Sequence, residues 1–168
     1  MNYLIKLIIL TLGGFIANIA ISETLTIDAQ ERSINSTYKS YLGQIEESYS
    51  LNGLNITFAH PIDPSLLPSL HISTKNYNNG SSTFSSTLSP DGDYCYISTV
   101  VVTSVNNQSC VEITSLKKEE SPSLKETTYA DGVFTILTPL ENNYQLILTV
   151  TGEDGCTMTE TRMLWPGK

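Results

Sequence analysis

Basic residues are scarce in this chain, which has nine Lys and Arg against 17 Asp and Glu and a net charge of −8 at pH 7. Proteins that bind nucleic acids carry basic patches that neutralise phosphate, so we expect no nucleic-acid partner. Charged residues of either sign make up only 15% of the chain, and Ser and Thr supply much of the polar surface instead. This composition favours an exported, β-rich protein over a helical cytosolic enzyme.

The sequence motifs that build common active sites are also missing. The chain contains no G-x-S-x-G, H-E-x-x-H, G-x-x-x-x-G-K-[ST] or G-x-G-x-x-G pattern. Its two histidines, His60 and His71, lie in a Pro-rich stretch. Its cysteines form no C-x-x-C pair, whereas a zinc site needs about four ligands at close spacing. We therefore expect no enzymatic activity, no cofactor and no metal site.

Two weaker arrangements could still support catalysis. A free Cys110 beside a histidine would form a Cys/His nucleophile, although a buried inert thiol is the simpler interpretation. Asp91 with Asp93, or Glu119 with Glu120, could act as the paired acids of a glycosidase. Both pairs fall in turns or charged segments, so we interpret them as solvated surface residues.

The N-terminus has the features of an export signal. Lys6 is followed by an apolar run over residues 7–21, and Ala20 and Ser22 give a small-x-small cleavage pattern. We therefore predict a signal peptide over 1–22, cleaved after Ser22 or after Ala20, and a secreted or cell-envelope protein. The alternative is a retained membrane anchor, because the apolar stretch is about as long as a membrane-spanning helix. Membrane contact is then expected only through residues 1–22.

Residues 23–168 are predicted to form a single α+β domain, since their number suits one domain with its own core. Apolar residues at helical spacing predict one amphipathic helix over 27–51, with Asp28 and Glu31 as a capping box and Asn52-Gly53 as the stop. The helix should cover one face of an antiparallel β-meander of about five strands. The main strands are predicted over 82–88, 94–105, 110–116, 133–137, 144–151 and 156–164, with a short strand over 54–58 and loops over 75–82 and 117–131.

The three cysteines allow one disulfide in an oxidising compartment. In the predicted meander, Cys95 and Cys110 lie at opposite ends of one hairpin, too far apart for a bridge. Continuing the meander returns Cys156 to the end that holds Cys95. The sequence therefore predicts a Cys95–Cys156 disulfide and an unpaired thiol at Cys110.

The order of these elements resembles that of type IV pilins and minor pilins. Residues 3–10 (YLIKLIIL) are similar to the apolar start of a mature pilin. Residues 144–150 (YQLILTV), 156–159 (CTMT) and Trp165 are similar to the closing strands of some minor pilins. The resemblance implies a structural subunit that is retained by its N-terminal helix and assembled at the membrane.

The sequence leaves three functions open. The first is an exported, non-enzymatic binding protein of adhesin or effector type, with an unknown protein or surface partner. The second is the pilin-like subunit, and the third is a small exported hydrolase that depends on His60 or His71. The presence of a signal and the lack of catalytic motifs favour the first.

Overall fold

Two helices occupy the region predicted to form one helix over 27–51. A computed structural model describes residues 24–164 apart from 35, 93 and 142, so the predicted signal over 1–22 lies outside the described residues. Helix α1 spans Leu25–Glu31 and begins at Thr24, whose side-chain oxygen accepts a hydrogen bond from the Ile27 amide. The chain then turns through Ser33, which has a φ of 61°, before α2 begins at Ser36.

The β-structure is more extensive than the sequence predicts. Within the described residues, eight strands form one fully antiparallel sheet in the order β1-β2-β3-β4-β8-β7-β6-β5. The predicted α+β architecture of one helix on about five strands is therefore wrong. The remaining bounds are α2 Ser36–Tyr49, β1 Leu54–Phe58, β2 Ser69–Tyr77, β3 Gly80–Asp91, β4 Tyr94–Val105, α3 Cys110–Glu120, β5 Lys125–Tyr129, β6 Phe134–Thr138, β7 Tyr144–Thr151 and β8 Gly155–Leu164, with a short 3-10 turn at Ala130–Gly132.

The segment predicted as a strand over 110–116 is the helix α3. Ser109 and Glu112 form a reciprocal capping box at its start, which satisfies amide donors that have no partner within the helix. Two other segments predicted as irregular, 69–77 and 125–129, are the strands β2 and β5.

The chain consists of two successive units with the same order of elements. One helix precedes four strands in each unit: α2 precedes β1–β4, and α3 precedes β5–β8. The units join through their last strands, because β4 pairs with β8 in antiparallel register, from Ile97 opposite Leu164 to Val105 opposite Cys156. An approximate twofold axis perpendicular to the sheet would generate this arrangement. It leaves β1 and β5 as the two edge strands.

All three helices pack on the same face of the sheet. One apolar cluster joins α1 and α2 to β3 and β4, and a second joins α3 to β6, β7 and β8. Val101 borders the first cluster and Val105 borders the second, and both point to the same side of β4. We call this side the covered face. Its central buried residues are Phe84, Leu88, Ile97, Leu137, Leu146 and Leu148.

The disulfide joins Cys110 to Cys156, with 5.0 Å between their Cα atoms, so the predicted Cys95–Cys156 bridge is wrong. The prediction omitted α3 and β5, and the extra strand reverses the direction in which β8 enters the sheet. Cys156 therefore lies beside Val105, close to the start of α3. The unpaired thiol is Cys95, buried in the cluster beneath α1 and α2, and not Cys110. Among the described residues no helix is long and apolar enough to cross a membrane.

Candidate functional site

His71 lies at the centre of a buried polar network under α1. Its Nδ1 is 3.0 Å from the Thr57 hydroxyl and its Nε2 is 2.8 Å from the Ser69 hydroxyl. Desolvation lowers the pKa of His71 from 6.5 to about 4, against the opposing effect of the negative charge of Asp28. His71 is therefore neutral at pH 7, and each ring nitrogen has a hydroxyl partner.

This network contains serine, histidine and aspartate, but it does not present them to a substrate. The side chains of Asp28, Ser69 and His71 are all at least 95% buried. A serine nucleophile must reach a substrate carbonyl, and its base must share that access. In this structure the three residues lie buried between α1 and the sheet, and Oδ2 of Asp28 has no hydrogen-bond partner in the described chain. Asp28 also pairs with Arg32 one turn along α1, at 3.1 Å.

The cysteines offer no accessible nucleophile. Cys110 is held in the disulfide, so the proposed Cys/His pair cannot form from it while that bond is intact. Cys95 is buried, and desolvation raises its pKa to about 11. A thiol becomes a nucleophile only as its thiolate, so Cys95 is an inert core residue at neutral pH.

The other candidate residues lie apart from one another. His60 is in the loop after β1, where its Nδ1 accepts hydrogen bonds from the amides of Ile62 and Asp63. Glu119 and Glu120 are exposed at the end of α3, and Asp91 is exposed at the end of β3. Asp93 lies outside the described residues. Within the described part of the chain no group of three or more His, Cys, Asp or Glu side chains could hold a metal ion.

A pocket of about 490 Å³ lies between α3 and strands β5–β7, next to the disulfide. The hydroxyls of Thr114, Thr128 and Thr135 line it, and the Lys118–Glu126 ion pair, at 2.9 Å, bounds one side. Such a pocket could admit a small polar molecule. Its charged lining residues, Lys118, Glu126 and Glu153, are all exposed, so no buried charge defines a ligand.

The sheet face opposite the helices has no charged strand residue except at its margins, within the described chain. We call it the open face. None of its strand side chains is fully buried, and no helix of the described residues contacts it. Its residues, read across the sheet from β1 to β5, are Leu54, Ile56, Phe58, Leu70, Ile72, Thr74, Ser81, Thr83, Ser85, Thr87, Ser89, Tyr94, Tyr96, Ser98, Val100, Val102, Ser104, Thr157, Thr159, Thr161, Met163, Gln145, Ile147, Thr149, Thr151, Phe134, Ile136, Thr138, Thr127 and Tyr129.

Hydroxyl groups dominate the middle of the open face and apolar groups its two ends. In the middle, the hydroxyls of Ser104 and Thr157 are 3.0 Å apart and those of Thr151 and Thr157 are 2.9 Å apart. Charged strand residues occur only at its margins, at Asp91 and Lys125. The phenol of Tyr96 donates a hydrogen bond to the Asp91 carboxylate, which raises the pKa of this tyrosine. This face was not predicted, because residues 69–77 were expected to be irregular and form the strand β2.

Comparison with known proteins assigns no family to this chain. No protein-family model, curated protein sequence or solved structure matches it.

Proposed function

We propose that this protein is exported and acts by binding another macromolecule through the open face, without catalysis. The absence of charge across that face is the observation that carries the proposal. The cores of protein–protein interfaces are depleted of charged residues and enriched in aromatic ones, and the open face has Tyr94, Tyr96, Tyr129 and Phe134 exposed.

The size of the open face suits a specific interface. Eight strands at about 4.8 Å spacing, with at least five residues at about 3.3 Å each, span about 40 Å by 17 Å. The resulting area of about 650 Å² is close to the roughly 800 Å² that each partner contributes to a standard interface. The hydroxyl groups in the middle would supply hydrogen bonds to the partner, since interfaces of this size form about ten of them.

Export is supported by the N-terminal pattern and by the disulfide. Disulfides persist in oxidising compartments outside the cytosol, and Cys110–Cys156 closes a loop of 46 residues. Intact-mass measurement and N-terminal sequencing of protein from its producer test this part. A chain that begins near Glu23 would support export, whereas a chain that keeps residues 1–22 would favour the pilin-like alternative.

Binding through the open face is tested with two single lysine substitutions. Val100→Lys places a charge in the middle of the open face, where Val100 is 38% exposed, and Leu116→Lys places one on the outer side of α3, where Leu116 is 46% exposed. Labelled protein is added to producer and neighbouring cells and to the secreted fraction, and the bound amount is measured for each variant.

We expect Val100→Lys to lower binding at least tenfold, because a buried unpaired charge opposes association, and Leu116→Lys to bind as the wild type does. Equal binding by all three proteins would contradict the open-face assignment. A hydrolytic activity that is lost on replacement of His60 or His71 by Ala would contradict the non-catalytic part.

A further inference from the structure

The usual arrangement of polar and apolar residues is reversed in β1 and β2. The side chains that point under α1 are polar: Asn55, Thr57, Ser69, His71 and Ser73 are all buried. Most of those that point to the open face are apolar, namely Leu54, Ile56, Phe58, Leu70 and Ile72. Thr74 and Asn76, farther along β2, are polar. A half-buried strand normally places its apolar residues inward. This end of the sheet therefore exposes apolar surface that the folded monomer does not cover.

Further exposed apolar residues follow in the loop after β1. Phe58 at the end of β1 is 54% exposed, and in the loop that follows, Ile62 is 87% and Leu66 is 64% exposed. Leu54 and Leu67 are also exposed. We call these five residues the β1 edge patch. A monomeric protein rarely exposes a continuous apolar patch of this kind without using it for an interaction.

The two edges of the sheet differ in charge. Natural proteins protect edge strands with charged side chains, which discourage pairing with another chain. The edge strand β5 has Lys125 and Glu126, and all five of its residues are exposed. The edge strand β1 has no charge, and Asp63 is the one Asp, Glu, Lys or Arg between Glu47 and Lys75. Only the β5 edge has this protection.

We propose that two copies of this chain pair through β1 in antiparallel register about Ile56. This register is self-complementary. Leu54 then lies opposite Phe58 of the second copy and Ile56 opposite its own counterpart, so apolar residues meet on the open side. Asn55 lies opposite Thr57 of the second copy, so polar residues meet on the covered side. The molecule already joins its two internal units in this way, through the antiparallel pair β4 and β8.

The area at the β1 edge is sufficient for a weak, specific dimer. With about 180 Å² for a large apolar residue, the exposed fractions of the β1 edge patch amount to about 500 Å² per chain. The backbone of β1 adds about 100 Å², giving about 1,200 Å² in total. This is the lower limit for stable interfaces, the range in which weak and transient complexes lie. The net charge of −8 opposes association of two copies, and salt screens this repulsion.

The dimer would place two open faces side by side on the same side of a sixteen-stranded sheet. A partner with repeated sites could then bind both faces at once, which raises the overall affinity without any new contact. The dimer itself does not depend on the proposed function, since it uses the β1 margin of the open face, whereas the test of partner binding uses Val100 on β4, in the middle of the sheet. Failure of either proposal leaves the other intact.

Site-directed disulfide formation tests the register directly. Ile56 and Thr127 are the middle residues of the two edge strands, and both point to the open face. Cys110 and Cys156 are already paired and Cys95 is buried, so an introduced cysteine is the accessible thiol. The Ile56→Cys variant, recovered from producing cells, is expected to form a covalent dimer on mild oxidation. The matched Thr127→Cys variant is expected to remain a monomer.

Sedimentation over about 1–200 μM gives the second measurement. We expect the wild type to change from monomer to dimer with concentration, and Phe58→Lys and Ile62→Lys to raise the dissociation constant at least tenfold. Tyr129→Lys is the control, because Tyr129 ends β5 as Phe58 ends β1 and is also 54% exposed. Ile62 lies in a loop, so its variant remains informative if Phe58→Lys does not fold. Any of three results would overturn the proposal. The wild type could remain monomeric at 200 μM, Tyr129→Lys and Phe58→Lys could change the dissociation constant equally, or the two cysteine variants could form covalent dimers equally.

Discussion

The burial of His71 makes the stability of this protein dependent on pH between about 4 and 6.5. Desolvation lowers the pKa of this side chain to about 4 in the folded state, from 6.5 when it is exposed. Between these values the unfolded chain binds a proton at His71 that the folded chain does not bind. The free energy of unfolding therefore falls as the pH decreases through this window, and the full loss is reached below about pH 4.

The size of the effect follows from the difference between the two pKa values. About 2.5 pKa units at about 1.4 kcal/mol each give a loss of about 3 kcal/mol from pH 7 to below pH 4. Single domains are stable by about 5–15 kcal/mol, so this loss is a large share of the total. The negative charge of Asp28 already opposes the shift and is included in the value of about 4.

The assay is urea unfolding of wild type and His71→Gln at several pH values from 7 to 4. Glutamine keeps a donor and an acceptor near Thr57 and Ser69 but binds no proton in this range. Other acidic groups affect both proteins equally, so the difference between the two unfolding free energies isolates His71. We expect His71→Gln to be less stable at pH 7 and the difference to shrink by about 3 kcal/mol at pH 4. A difference that stays constant with pH would refute the reasoning.

Three further predictions concern the core and the turns. Reduction of Cys110–Cys156, whose sequence separation is 46, should lower the free energy of unfolding by about 4 kcal/mol, measured by urea unfolding with and without reductant. Cys95 should react with a thiol reagent only after unfolding, because it is buried and its pKa is about 11; labelling of one thiol in the native protein within minutes would contradict this. Gly80→Ala should lower the free energy of unfolding by at least about 2 kcal/mol, because the added Cβ would collide with a backbone carbonyl of β4. Gly43→Ala should instead stabilise α2 by about 1 kcal/mol, because no atom lies near the added Cβ. Thermal unfolding that ranks these two variants in the opposite order would show that the packing argument is wrong.

Local sequence patterns predicted several strands well. The predicted strands over 54–58, 94–105 and 144–151 have the bounds of β1, β4 and β7, and the predicted strand over 156–164 starts one residue after β8 does. These segments are rich in β-branched residues and end at recognisable turns. The prediction of a strand was wrong over 110–116, although residue types alternate there. In 110–116 apolar and polar residues alternate as in a strand, and the Ser109–Glu112 capping box was the signal for a helix.

The disulfide and the open face could not be predicted because both depend on the order of strands. One missed strand reverses every later strand and moves Cys156 to the other end of the sheet.

The break between α1 and α2 was hidden for a local reason. The chain leaves α1 at residues 32–34, where neither glycine nor proline interrupts the apolar spacing. Asp28 was assigned to a cap, yet it is buried inside α1 because Thr24 is the capping residue.

The reversed alternation in β1 and β2 connects the pH prediction to the proposed dimer. A shift of one residue in either strand would turn its apolar side chains inward and its polar side chains outward. The shifted strand would bury more apolar surface, and it would leave His71 in solvent. The observed register instead requires α1 to cover a polar surface, which depresses the pKa of His71. It also requires an apolar edge to remain in water. The proposed pairing through β1 would bury this apolar edge against a second copy, and so would offset the cost of the observed register.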